Sequence, residues 1–276
     1  MVKIVLTKFG TMGARDIELV KNTLEECYLQ LEPHEVAYVD LCLFESAAQM
    51  RAFFTREKLS LGIAGVFDDL FVAQHDAWRG TPRISICLDR LGALPNEVQV
   101  GNIRHEACHS ILHGSIEYYM IPLSLISAFV DKREFSGESA ASFVYLVSIA
   151  VKDFEVAKFL FERGRLKDQV AYATNILCTT EDERLAWRVS RGNRVAEILC
   201  IVSRFKEVCC AAPFLSGQRF GDELKDGIVE NLSYLGSDIV EKLLWIAKHD
   251  LPKLGQDTMK NINVVSGLLL STFLED

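Results

Sequence analysis

The chain has 276 residues, 49% apolar and 25% charged, the balance of a folded protein able to bury one large core or two smaller ones. A formal net charge of −8 excludes the dense basic surface that nonspecific nucleic-acid binding requires. The amino terminus lacks a signal-peptide hydrophobic region, and no run reaches about 18 uninterrupted apolar residues, so a soluble cytoplasmic protein without a membrane span is expected. Tyr118 to Val130 comes nearest, but it is short and contains Pro122.

The first half alternates strand and helix signals. Val2 to Lys8 is strand-like, Arg15 to Leu31 has helical spacing, Val36 to Phe44 is a second strand and Glu45 to Lys58 a second helix. Phe71 to His75 and Arg83 to Asp89 read as two further strands around a turn at Gly80 and Pro82. In RISICLD, Ile84, Ile86 and Leu88 alternate with Arg83, Ser85, Cys87 and Asp89, which predicts a half-exposed or edge strand. Pro95 or Asn96 then begins a helix that runs to a stop at Gly114. From about Ser124 the strand signals vanish. Helical patterns fill 137–163, 165–178, 181–212, 221–234, 236–249 and 256–274, punctuated by glycines. The organisation is an α/β amino-terminal part followed by a helical carboxy-terminal part.

Eight cysteines occur without a C-x-x-C pair, which argues against a zinc ribbon or a thioredoxin motif. Without an export signal they read as buried or free thiols, including the adjacent Cys209 and Cys210. KFGTMGAR after the first strand lacks the Gly-Lys-Ser/Thr of a phosphate loop and reads as a plain turn.

The informative stretch is HEACHSILHG, residues 105 to 114. On a helix, positions i and i+4 share a face, so His105 and His109 can direct their imidazoles at one ion. Glu106 lies about 100° round the helix, where its carboxylate can address a zinc-bound water and accept its proton. Chance supplies H-E-x-x-H in roughly 1% of chains this long, so context must separate a site from a solvated helix face. Val98, Val100, Ile103, Ala107, Ile111 and Leu112 make the helix apolar enough to be buried. Burying two histidines and a glutamate without a joint purpose is costly.

In residues 105–109 the chain resembles the zincin metallopeptidases, and the order of elements through residue 114 is similar to a zincin amino-terminal subdomain. The resemblance implies an α+β fold. Residues 1–123 would form a zincin-like α/β subdomain, with a mixed sheet and the HExxH helix, and 124–276 a mainly α-helical part supplying the third metal ligand. It implies one Zn2+ per chain held by His105 and His109, with Glu106 as general base and a peptide or protein as substrate. Arg83 to Asp89 would be the edge strand against which an extended peptide pairs. A metzincin would carry glycine and histidine where Leu112 and Ser115 stand, which excludes that branch. His113 is a poor third ligand, because it sits a further turn along the same helix; a supporting or packing role suits it.

The third ligand is sought on the segment from Gly137 to Arg163. Asp153 falls inside the apolar stripe of Leu146, Ile149, Ala150, Val156, Ala157 and Leu160, and an acid there needs a partner. It is the first candidate. Glu155 is the alternative, as ligand or support, on a polar side shared with Ser148 and Lys152. Glu138 is a third, although a helix first turn capped by Ser136 or Gly137 also accounts for it. Tyr118, Tyr119, Tyr145 or Tyr172 could donate to an oxyanion, or be half-buried aromatics. The expected function is therefore a zinc metallopeptidase. The alternatives are a non-catalytic zinc-binding module of the same fold, or a helical interaction protein with a chance motif.

Overall fold

The structure, a computed structural model, describes residues 2–60, 71–120, 123–130, 135–217 and 220–274; Pro122 lies outside them. The fold is α+β, and its contacts divide the chain into two units, Met1–Tyr119 and Met120–Asp276. No helix among the described residues is long and apolar enough to cross a membrane.

The first unit runs β1 (Lys3–Phe9), α1 (Ala14–Gln30), β2 (Tyr38–Phe44), α2 (Ala47–Ser60), β3 (Ala73–Asp76), β4 (Arg83–Cys87), α3 (Leu88–Gly92) and α4 (Asn96–Leu112), then a 3-10 turn at Ile116–Tyr119. Among the described residues these form a four-stranded mixed sheet in the order β1-β2-β4-β3, with β3 antiparallel to β4 and the other pairs parallel. The register sorts side chains onto two faces. Leu6, Leu41 and Ile84 align across one face, joined by Leu43, Ile86 and His75. Leu41, Leu43, Ile84 and Ile86 are fully buried, each contributing about 1.5–3 kcal/mol. On the other face Cys42, Phe44 and Cys87 pack with Met50 and Phe54 of α2.

The reading of Arg83 to Asp89 as an edge strand is corrected. β4 lies between β2 and β3, all five of its residues are buried, and the edge strands are β1 and β3. The alternation is real, but its polar face meets α2 instead of water. Arg83 donates to both oxygens of Glu57 on α2, at 2.9 and 2.6 Å, and to Asp76 on β3 at 2.9 Å. Asp89 belongs to the short helix α3.

The second unit contains α5 (Leu123–Val130), α6 (Gly137–Glu162), α7 (Lys167–Ile176), α8 (Glu181–Ser190), α9 (Arg194–Ala211), α10 (Gly221–Leu232), α11 (Ser237–Trp245) and α12 (Thr258–Phe273). The single helix expected over 181–212 is two. Gly192 takes φ +87°, and the Asn193 side chain accepts from the Ala196 N–H, so the chain turns and restarts. A π-helical turn at Ile246–Asp250 follows α11. α6 packs on α5, α7, α9 and α12 and is the centre of the unit's core. Its expected polar side is mostly internal: Ser148 and Lys152 are buried, while Leu146 and Ile149 are only half-buried.

Candidate metal centre

α4 starts after Pro95, whose missing N–H costs nothing at a helix entrance, and ends at Leu112, with the His113 N–H reaching the His109 carbonyl. Gly114 is required by space. A Cβ there would stand 2.3 Å from the Ser110 carbonyl oxygen, so the chain leaves the helix where only glycine fits. Two contacts with α1 fix the rotation of α4 about its axis. Tyr28 Oη donates to Ser110 Oγ at 2.7 Å while that hydroxyl donates to the Ala107 carbonyl at 2.6 Å. Arg104 pairs with Glu26 at 3.1 Å.

This rotation turns the motif inward. His105, Glu106, His109 and His113 are all buried, none more than 8% exposed. His105 Nε2 and His109 Nε2 lie 3.2 Å apart. Two imidazole nitrogens about 2.0–2.1 Å from a tetrahedral zinc stand about 3.3 Å apart, so the pair has the bite of a zinc ligand pair without rearrangement. The same distance suits a hydrogen bond between opposite tautomers. His109 Nδ1 in turn meets His113 Nδ1 at 3.2 Å.

A fourth histidine joins them from the sheet. His75 on the edge strand β3 stacks parallel to the His109 ring, with centroids 6.2 Å apart and planes 5° apart. Its Nδ1 is 2.6 Å from Tyr119 Oη, in the turn after α4, and Tyr118 lies edge-on to His113 with centroids 5.2 Å apart. Four of the chain's six histidines therefore meet in one cluster. Sequence reasoning missed His75. Its signal was present, since strand alternation puts it on the same face as Ile84 and Ile86, but only the strand order brings that face under α4.

The second unit holds the other candidates. Asp153 is half-buried, and its carboxylate is within 4.8 Å of the Cys210 thiol on α9. Burial, with Asp153 next, pushes the Cys210 thiol well up, and Cys209 behaves alike, so both are core thiols. Glu155 accepts from Thr258 at 2.9 Å and from Asn261 at 2.7 Å, which ties α6 to α12. Glu138 is exposed in the first turn of α6, where Ser136 caps the Ser139 N–H. Tyr145 is exposed and Tyr172 half-buried. Lys152 is held at about 8 by burial, against the neighbouring pull of Asp153 and Glu155.

On the α2 face of the sheet, a cavity of about 200 Å³ is lined by Asp40, Cys42, Asp76, Arg79 and Arg83 among others. Its charges answer one another. Burial raises the Asp76 carboxyl despite Arg83, whereas for Glu57 the Arg83 and Arg79 guanidinium groups overcome burial and lower it. Compared with known proteins, the chain matches no protein-family model, no curated protein and no solved structure.

Proposed function

We propose that the protein is a zinc-dependent hydrolase, a metallopeptidase of zincin type. The observation that carries this reading is the buried pair of His105 Nε2 and His109 Nε2 at zinc-ligand spacing, with Glu106 beside it on the same rigid helix. A zinc ion held there would supply the Lewis acid that polarises a carbonyl and acidifies water. His105 and His109 hold and orient; Glu106 takes the proton of the attacking water and passes it to the leaving amine. Asp153 remains the chosen third ligand on the chemistry of its setting, a half-buried acid in an apolar helix. Glu155, whose oxygens accept from Thr258 and Asn261, is the alternative third ligand. The edge strand for pairing an extended peptide is β3, the antiparallel outer strand, which carries His75 close to His109.

The test combines metal analysis with hydrolysis of a fluorogenic peptide library. The wild-type chain should carry one zinc and cleave; Glu106→Gln should keep the zinc and lose cleavage. Asp153→Ala should lose zinc where Glu155→Gln keeps it. Absence of stoichiometric zinc, or full activity in Glu106→Gln, sinks the hydrolase. Zinc without any cleavage by the wild type would favour the non-catalytic module.

A further inference from the structure

We infer that His113, which the HExxH pattern leaves out, is a positioning residue of this metal site. The inference rests on the proposed zinc reading. If His105 and His109 both offer Nε2 lone pairs to one ion, each must carry its proton on Nδ1. For His109 that nitrogen faces His113 Nδ1 at 3.2 Å, so His109 donates and His113 accepts. The arrangement then has one solution. His113 is the Nε2–H tautomer, and its lone pair selects the His109 tautomer whose Nε2 is free for the metal.

Three features suit His113 to this task. It is 1% exposed, so water does not compete for the Nδ1 contact. It caps α4, with its N–H on the His109 carbonyl at 2.7 Å, so backbone and side chain both return to the residue they orient. Tyr118 packs edge-on against its ring, which restricts where the imidazole can go. Partners that hold the outer nitrogen of a ligating histidine typically control metal affinity by about 10–100-fold. A +4 histidine too far along the helix to bind the ion can therefore still set how well its neighbour does.

The experiment is a chelator competition with zinc alone on the full chain, comparing wild type, His113→Ala and His113→Asn. Asparagine sets its amide oxygen near the imidazole Nδ1 position and restores an acceptor. His113→Ala should bind zinc about 10–100-fold more weakly, and His113→Asn should recover most of that loss. Equal affinity in wild type and His113→Ala overturns the positioning role while leaving the zinc reading intact. A wild type that takes up no zinc overturns the reading and this role together. Should His113→Ala fail to fold, nitrogen-15 NMR of the zinc-loaded wild type decides: an Nε2–H His113 supports the role, an Nδ1–H His113 refutes it.

Discussion

The two faces of one small sheet bury polar groups in opposite ways. Against α2, Arg83 sits between Glu57 and Asp76, cation against anions, with guanidinium donors on carboxylate acceptors. Against α4, His75, His105, His109 and His113 gather like with like, and two ring nitrogens that can both be acceptors face each other. The first arrangement is complete in itself and stabilises the fold. The second fits a chain of imidazole hydrogen bonds and, in the function proposed above, a cation held by His105 and His109. Burial alone thus says little about function; whether the donors and acceptors close among themselves says much more.

The largest effect that could break this contrast is on the α2 face. Arg83→Ala strands the buried Asp76 carboxylate, leaves Glu57 with Arg79 alone, and should cost about 3–5 kcal/mol in urea denaturation. Replacing all three residues with apolar ones should restore most of it. A loss near zero for the single variant would mean that this network is not structural.

A third buried cluster, in the second unit, extends the comparison to pH. Burial pushes the Glu207 carboxyl up from 4.5 to about 7, despite Lys206 and Arg204 nearby. The folded state therefore holds a proton that the unfolded chain releases, so this contribution is complete below about 4.5 and is lost as pH rises through 7. Glu207→Gln should remove a fall of about 3 kcal/mol across that window. An unchanged pH profile of thermal unfolding would refute the assignment.

On the histidine face the effect should depend on metal. Zinc at a hundred times its dissociation constant should raise the unfolding free energy by about 2.7 kcal/mol, and His109→Ala should abolish the gain. A zinc-independent melting temperature would make the cluster as self-contained as the Arg83 network. The smallest effect belongs to Tyr119→Phe, which removes the hydroxyl on His75 and should cost about 1 kcal/mol. No loss in denaturation would show that Tyr119 does not secure His75.

Much of this was legible in the chain itself where the physics is local. Helical periodicity alone puts His105, Glu106 and His109 on one element, and Pro95 and Gly114 mark its ends. The strand and helix order of the first unit follows from runs of period two and 3.6, and most second-unit helices follow from their glycine punctuation. Gly192 and Asn193 spelled out the break between α8 and α9, but the apolar pattern running through them concealed it. What only the tertiary structure decided comes from residues distant in sequence. Strand pairing made β4 interior and β3 an edge, so Arg83 needed Glu57 and Asp76 rather than water. The same pairing carried His75 across thirty-four residues to His109, a meeting that no window along the chain contains. Spacing predicts which residues can share a face, and packing decides what that face meets.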